Sequence, residues 1–398
     1  MHNAMVSRVL GVLLASYLIA FAAVAATPTA APPPVVTPVK IGVTTSLTGP
    51  IANFGVEQQR GMKMWENDVN NRGELLGRPV ELVLYDDASS AANVTQLYEK
   101  LITQDKVDFL ISPYTSNLTL AAAAVAEKYG VPMVSVASSA DIWNRGYRNV
   151  FGLYTPAHAN MDPVIDLAKE RGLNTIAVVY LDDDFPRHVA EGVRQRAAAD
   201  GLTVVLDQQY SNDLTQMPAL AQKVAAANAD VVIVASYMDD AVAFAQAAKA
   251  AGVKPKLMAY SGAPALQEFG QRVGIANIQG VLSTVQWSRD VRVPGGFDLA
   301  FRYEREYNMY PSYDAAGGYA AGQVLEAAIR LAGTTDHDKV RDELAVLKFR
   351  SILGNYRVDA TGLQTAKSTY LVQWQDDHIS LVYPPDVARW KLLYPYPG

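Results

Sequence analysis

Residues 39–87 decide the fold, and they read VKIGVTTSLTGPIANFGVEQQRGMKMWENDVNNRGELLGRPVELVLYDD. The β-branched run at 39–43 predicts a short strand, and a turn at Gly49-Pro50 follows it. The apolar spacing over 53–70 predicts a helix, and the run at 80–85 predicts a second strand. A strand, a helix and a strand in this order form a βαβ unit, which predicts that the two strands are parallel.

The same alternation continues along the chain in two successive sets. The predicted strands are 39–43, 80–85, 109–111 and 133–136 in the first set, and 175–180, 203–206, 231–235, 256–260 and 281–285 in the second. Strands that alternate with helices predict parallel sheets. Two sets therefore predict an α/β protein with two doubly wound, Rossmann-like lobes. In such sheets ligands bind outside the carboxyl ends of the strands, so the loops there are the candidate site.

The composition fits this architecture and excludes several classes of function. The 398 residues are 50% apolar and 19% charged, which excludes a disordered or collagen-like chain. The 34 basic and 40 acidic residues give a net charge of −6, so the basic footprint of a nucleic-acid-binding protein is missing. The absence of cysteine excludes disulfides, thiolate metal sites and a cysteine nucleophile.

Motifs for catalysis, cofactors and metals are also missing. The sequence contains no G-x-G-x-x-G, no G-x-x-x-x-G-K-[ST] and no G-x-S-x-G. Its five histidines are His2, His158, His188, His337 and His378. No two of them have the i, i+3 or i+4 spacing of a metal site. We interpret the three aspartates at 182–184 as a solvated acidic turn, because the alternating ligands of a calcium loop are missing. We therefore expect a binding protein without a cofactor or a metal, and not an enzyme.

The first residues have the pattern of an export signal. Arg8 is the only charged residue before Lys40, and an apolar run ends in small residues near position 26. This pattern predicts a secretory signal peptide over 1–26, with a transmembrane helix as the alternative. Residues 27–38, rich in Pro, Thr and Ala, are interpreted as a spacer. We expect a periplasmic protein and, without a cysteine, no lipid anchor.

Short motifs recur along nearly the whole chain in a characteristic order. They are Lys40-Ile41-Gly42-Val43, Leu47-Thr48-Gly49-Pro50, Phe54-Gly55, Arg60-Gly61, Asn70-Asn71-Arg72-Gly73, Leu76-Gly77-Arg78-Pro79-Val80, Tyr85-Asp86-Asp87, Tyr129-Gly130-Val131-Pro132-Met133-Val134-Ser135, Ala250-Ala251-Gly252 and Leu371-Val372-Gln373-Trp374-Gln375. In this order and spacing they resemble the periplasmic branched-chain amino-acid (Leu/Ile/Val) binding proteins of ABC importers, which have the type I periplasmic-binding-protein fold. The resemblance implies a monomer that holds a small-molecule ligand and delivers it to an inner-membrane ABC permease.

The resemblance also implies that the chain passes between the two lobes three times. The expected crossings are near Tyr154-Thr155, 284–287 and 351–357. The first lobe is then expected to comprise 39–154 and 288–350, and the second lobe 155–287 and 351–398. Helices at 297–307, 315–331 and 338–347 return to the first lobe.

Small polar residues at two strand ends are the expected carboxylate site. Ser116 precedes the alanine-rich helix predicted at 117–129, so its hydroxyl and the free N–H groups of the first turn can bind an anion. An ordinary helix-capping serine is the alternative. The family holds its ligand's carboxylate with a serine at this position. The resemblance also assigns to the ligand a backbone group of Ala137 and the hydroxyl of Ser139, with Ser138 as the substitute if the alignment is shifted by one.

Aromatic residues are expected to form the walls of the ligand site. The resemblance places Phe54 over the ligand and Tyr237 on the second lobe, and Trp287 near a crossing is a candidate wall. Packing in the core is the alternative for each of them.

One position departs from the family's pattern for amino-acid ligands. Members that bind amino acids usually offer an acidic residue to the ligand ammonium, and Ser261 stands at that position. A buried ammonium without a partner costs several kcal/mol. Either Asp239 or the run at 182–184 replaces the acid, or the ligand has no ammonium. The expected ligand is a branched-chain amino acid or another small carboxylate or amide, such as an aromatic acid. A receptor subunit that senses such a ligand for a signalling partner is a further alternative.

Overall fold

The computed structural model describes residues 36–398, and the first sheet has the predicted parallel pattern. Its strands are β1 (Val39–Thr45), β2 (Val80–Asp86), β3 (Phe109–Ile111), β4 (Met133–Ser135) and β5 (Val150–Gly152). They lie side by side in the order β2-β1-β3-β4-β5, and every pairing is parallel. The connecting helices are α1 (Ala52–Asn71), α2 (Ala91–Thr103), α3 (Ser116–Tyr129) and α4 (Ala140–Trp143). The sequence does not predict β5, because only the four-residue helix α4 and a loop separate it from β4, so the alternation of strands and long helices is broken there.

The second sheet is larger and mixed. Its strands are β6 (Thr175–Leu181), β7 (Thr203–Tyr210), β8 (Val231–Ala235), β9 (Leu257–Tyr260), β10 (Leu282–Val285), β13 (Tyr370–Gln375) and β14 (His378–Tyr383). Their order is β14-β13-β10-β9-β8-β6-β7, with β13 and β14 added as antiparallel strands at one edge. Its helices are α5 (Asp162–Glu170), α6 (Asp184–Asp200), α7 (Met217–Ala227), α8 (Met238–Ala250) and α9 (Gln267–Val273). The predicted α/β fold class with two sheets of doubly wound type is confirmed.

The chain returns to the first lobe after β10. The elements there are α10 (Gly296–Tyr307), α11 (Tyr313–Ala332), α12 (His337–Val346), β11 (Phe349–Ser351) and β12 (Gly354–Tyr356). Helix α11 packs closely against α1, since a Cβ on Gly61 would lie 1.8 Å from the carbonyl oxygen of Ala315. Glycine at this position therefore allows the two helix backbones to touch.

The last crossing lies further along the chain than the sequence predicts. We expected it near 351–357, with the first lobe ending at 350. The hairpin of β11 and β12 instead packs on the first lobe, because Leu353 and Tyr356 belong to the same buried cluster as Phe109. The chain joins the second sheet only at β13. The apolar pattern of the sequence could not locate this crossing, because a short hairpin has the same pattern whichever lobe it packs against.

The predicted signal peptide at 1–26 and the spacer up to residue 35 lie outside the described residues. Within 36–398, no helix combines the length and the apolar character that a membrane span requires.

Candidate functional site

A narrow chamber lies between the two lobes, at the carboxyl ends of their strands. Its lining residues are Phe54, Tyr114, Thr115, Ser116, Val136, Ser138, Tyr154, Asn160, Phe185, Tyr237, Ser261, Gln286 and Tyr313. We call this cavity the chamber. Its volume is about 40 Å³, a few times the roughly 10–15 Å³ that one water requires. Its position is the one expected for ligands of parallel α/β sheets.

Ser116 lies in the first turn of α3 and faces the chamber. The capping residue of this helix is Thr115, whose hydroxyl accepts the N–H of Leu118 at 3.4 Å. Ser116 is therefore not the capping residue of α3. Its Oγ accepts the N–H groups of Ser138 and Ser139 at 3.3 and 3.1 Å. Because a hydroxyl can also donate its own proton, Ser116 can hydrogen-bond an anion at a helix end that favours negative charge.

The loop after β4 turns neighbouring residues in opposite directions. Ser138 lines the chamber, whereas Ala137 and Ser139 do not. The N–H of Ala137 is donated to Ser135 Oγ at 3.1 Å. The hydroxyl of Ser139 lies 3.1 Å from Nδ1 of His188. In this loop Val136 and Ser138 line the chamber, and the hydroxyl there belongs to Ser138, the substitute position.

Aromatic rings from both lobes close the chamber. Phe54 stacks on Tyr114 with ring centroids 5.0 Å apart and an interplanar angle of 4°. Across the cleft, Tyr237 meets Phe54 edge-on at 6.4 Å and Phe185 at 6.3 Å. Among residues 36–398 the buried hydroxyl of Tyr237 has no hydrogen-bond partner, and burial raises the pKa of this phenol well above its ordinary value. The chamber therefore offers flat apolar walls with one phenol that lacks a protein partner.

A group of tyrosines on the floor of the chamber was missed by sequence reasoning. The hydroxyls of Tyr114 and Tyr313 lie 3.0 Å apart, and the hydroxyl of Tyr154 lies 3.4 Å from the carbonyl oxygen of Tyr313. Behind them Asp314 is completely buried, and neither carboxyl oxygen has a hydrogen-bond partner in the described part of the chain. Desolvation raises the pKa of Asp314 well above its ordinary value, so burial disfavours the charged form of this carboxyl. The only sequence signal was the expected crossing at Tyr154, because Tyr313 joins the site through a helix distant in sequence.

Within residues 36–398, no acidic or basic side chain lines the chamber. Ser261 does line it, and its Oγ accepts the N–H of Ser236 at 3.0 Å and lies 3.3 Å from the carbonyl oxygen of the same residue. Asp239 lies outside the chamber and pairs with Arg272 at 2.8 Å. The aspartates at 182–184 are not among the lining residues either.

Residues 38–378 match the model of the periplasmic binding protein family. The chain belongs to this family. One curated relative is the Leu/Ile/Val-binding protein homolog 7 of Brucella abortus (strain 2308), which is 26% identical over 377 residues, covering 90% of this chain and 94% of the relative.

Two solved structures share the fold of this binding protein. A leucine-binding protein LivK from Thermotoga maritima MSB8 has a TM-score of 0.80 at 22% identity, over 87% of this chain and 99% of that one. An ABC-transporter solute-binding protein from R. palustris in complex with benzoate has a TM-score of 0.76 at 20% identity, over 89% of this chain and 100% of that one. These similarities agree with the fold predicted from the sequence.

A second, wider cavity of the binding protein lies beside the chamber between the same two lobes. We call it the groove; its volume is about 700 Å³, and its lining includes Glu57, Arg60, Asp239, Arg272, Trp287, Arg289 and Met309. Tyr313 borders both cavities. Trp287 is 2% exposed and lines the groove, not the chamber. Of the seven residues proposed for the ligand, Phe54, Ser116, Tyr237 and Ser261 line the chamber.

Proposed function

We propose that this binding protein captures a small carboxylate with an uncharged tail in the chamber and delivers it to an inner-membrane ABC permease. The observation that carries the proposal is the lining of the chamber. It consists of hydroxyl, amide, aromatic and apolar side chains, with Ser116 at a helix N-terminus and no charged side chain within the described residues.

The serine end of the chamber supports a carboxylate. Ser116 lies in the first turn of α3, where the helix dipole and the free N–H groups of a helix end favour an anion, and Ser138 lines the chamber beside it. A carboxylate there receives hydrogen bonds without meeting a competing acid.

The aromatic end supports a tail without an ammonium group. The rings of Phe54, Phe185 and Tyr237 offer apolar surface, and an ammonium placed among them would lose its hydration without gaining a carboxylate. The neighbouring Asp314 does not replace the acid, because it does not line the chamber and burial disfavours its charged form. The benzoate complex of the R. palustris protein shows that this fold can hold an aromatic acid.

A branched-chain amino acid is the second candidate, and the relatives favour it. The Brucella proteins are Leu/Ile/Val-binding protein homologs, and the structural neighbour from Thermotoga is a leucine-binding protein. An aliphatic tail would pack on the same rings, but the amino group would need a partner that the lining does not supply.

The lobes must separate for either solute to enter. The chamber volume of about 40 Å³ is far below the roughly 300–1,000 Å³ typical of small-molecule pockets. The contact between Phe54 and Tyr237 is one that has to open. We infer that the three crossings between the lobes provide this movement.

Two matched ligand pairs test the proposal in a thermal-shift experiment on the mature protein. Leucine and 4-methylpentanoate differ only in the ammonium, and benzoate and benzamide differ in the charge of one end. A ligand at 100 times its Kd stabilises a protein by about 2.7 kcal/mol, which a melting curve resolves. We expect 4-methylpentanoate to exceed leucine, and benzoate to exceed benzamide.

The opposite order within the first pair would select the branched-chain amino acid. No shift with any of the four compounds would overturn the proposal. Mass spectrometry of the protein from the periplasm tests the associated expectation that residues 1–26 are removed on export.

A further inference from the structure

Outside the chamber, residues 36–398 contain one cluster of side chains that could hold a metal ion, and it joins the two lobes. Asp141 belongs to α4 of the first lobe, and Asp184 and His188 belong to α6 of the second. One potential ligand atom from each residue lies within 4.8 Å of the other two. We propose that these three residues bind a divalent transition-metal ion, of the class of Zn²⁺, between the lobes.

The hydrogen bonds of His188 leave Nε2 available as a ligand. Its Nδ1 lies 2.8 Å from the carbonyl oxygen of Asp184, so Nδ1 carries the proton and donates it there. In a neutral imidazole Nε2 then has a lone pair, and it lies 3.3 Å from Oδ1 of Asp141. The lone pair of Nε2 and the carboxylate oxygen are both hydrogen-bond acceptors. They attract each other only when a proton or a metal cation lies between them. A histidine whose Nδ1–H is held by a carbonyl is also the usual arrangement of a metal ligand.

Asp184 supplies an independent observation. It is 6% exposed, and its buried Oδ2 has no hydrogen-bond partner among the residues that the structure describes. Arg187 faces the other oxygen, Oδ1, at 3.5 Å and is itself half-exposed. A buried carboxylate oxygen without a partner is costly, and a bound cation would satisfy it. Our interpretation of the run at 182–184 as a fully solvated turn is wrong for Asp184, because the second lobe's helix starts against the first lobe at this residue.

The donor atoms define the class of metal. One imidazole nitrogen with carboxylate oxygens suits Zn²⁺ and similar transition-metal ions, whereas Ca²⁺ and Mg²⁺ prefer oxygen ligands alone. The 3.3 Å between Nε2 and Asp141 Oδ1 is close to the edge of a tetrahedron with ligand bonds of about 2.0–2.1 Å.

Because both lobes contribute ligands, the ion would bind the closed arrangement more tightly than an open one. By linkage, the ion and any solute that requires closure would raise each other's affinity. The site does not depend on which solute the chamber takes, so its test is separate from the ligand test.

The experiment measures Zn²⁺ binding to the untagged, mature protein by calorimetry, with the radius of gyration followed by X-ray scattering. His188→Asn keeps a donor at the position of Nδ1 and removes Nε2, and Asp141→Asn removes the ligand from the other lobe. His378→Asn is the matched control, because His378 contacts the carboxylate of Asp377 within one lobe and both are exposed. We expect Zn²⁺ to compact the wild type, and the first two variants to weaken its binding by at least about tenfold.

Circular dichroism without metal establishes that each variant is folded. Equal Zn²⁺ affinity in the wild type and in His188→Asn would overturn the site. Compaction that follows pH and ignores Zn²⁺ would also overturn it, in favour of a direct ion pair between His188 and Asp141. Loss of binding in His378→Asn alone would place the metal on the exposed pair instead.

Discussion

The chamber and the groove lie side by side in the same interlobe cleft, yet they differ in size and in charge. The groove, at about 700 Å³, has the volume of a typical small-molecule pocket, and the chamber, at about 40 Å³, does not. The groove contains Asp239 and Arg272, which pair at 2.8 Å and are both well exposed. Such charges are already satisfied by each other and by water, so they add little for a solute. The chamber instead holds fixed hydroxyls beside a helix end, which favour an anion without first breaking an ion pair.

The largest expected effect is on the free energy of unfolding, which should respond to a substitution in the chamber and not to one in the groove. Phe54→Ala removes a ring that is 2% exposed and stacked on Tyr114, and we expect a loss of about 3–5 kcal/mol in the free energy of unfolding. Met309→Ala, at a groove residue 38% exposed, should change it by less than about 0.5 kcal/mol. Urea denaturation measures both. Equal losses would show that the chamber walls are not part of the core.

The next effect is on carboxylate affinity, which should fall with a substitution in the chamber and not with one in the groove. Ser116→Ala should weaken benzoate or 4-methylpentanoate by about 1.5–3 kcal/mol, because a hydrogen bond to a charged group is lost. Arg272→Gln in the groove should leave their affinity nearly unchanged, since this guanidinium is already paired. Calorimetry with each compound provides the measurement. A larger loss in Arg272→Gln would move the solute from the chamber to the groove.

A smaller effect concerns position 261, where the chain has a serine in place of the acidic residue expected for an amino-acid ligand. Ser261→Asp places a carboxylate in the chamber, and we expect leucine to gain about 1 kcal/mol relative to 4-methylpentanoate. Ser261→Ala is the control for the lost hydrogen bonds to Ser236. If wild-type leucine affinity is already high and survives both Ser261→Ala and Asp239→Asn, the argument against an ammonium fails.

The smallest effect is a pH dependence of stability near the last crossing. Nζ of Lys367 is buried 5.7 Å from the ring centroid of Tyr154 and has no hydrogen-bond partner within 36–398. Burial lowers the pKa of this ammonium to about 7. Between that value and its unfolded pKa near 10.4, the unfolded chain holds a proton that the folded protein has released, so stability rises with pH. Below about pH 7 the folded state must accommodate the charge.

Lys367→Met should flatten this rise, which melting temperatures between pH 6.5 and 9 would record. The side chain is partly exposed as a whole, so its ammonium can turn toward water, and we expect only about 1 kcal/mol. An unchanged slope in Lys367→Met would assign the pH dependence to other groups.

Much of the fold was predictable because local patterns repeat. The β-branched runs at β1, β2, β6 and β8 and the helices between them lie where the sequence predicts them. The prediction failed at β5 and at the hairpin of β11 and β12, where no full helix separates consecutive strands and the alternating pattern is lost. In the site, Ser116 was predicted because it opens a helix after a strand, and Phe54 was predicted because the family resemblance placed it over the ligand. Tyr313 and Asp314 were missed because they enter through α11, which returns to the first lobe long after that lobe's sheet is complete.

The sequence by itself determined the fold class, the family and the loops at which a solute can bind, since these depend on the order of elements along the chain. Only the tertiary structure decided which side of each loop faces the chamber. Ser138 and Ser139 are neighbours of the same type, yet one lines the chamber and the other reaches His188 of the second lobe. It also brought together Asp141 and Asp184, which are 43 positions apart, because contacts between lobes follow from packing and leave no period in the sequence.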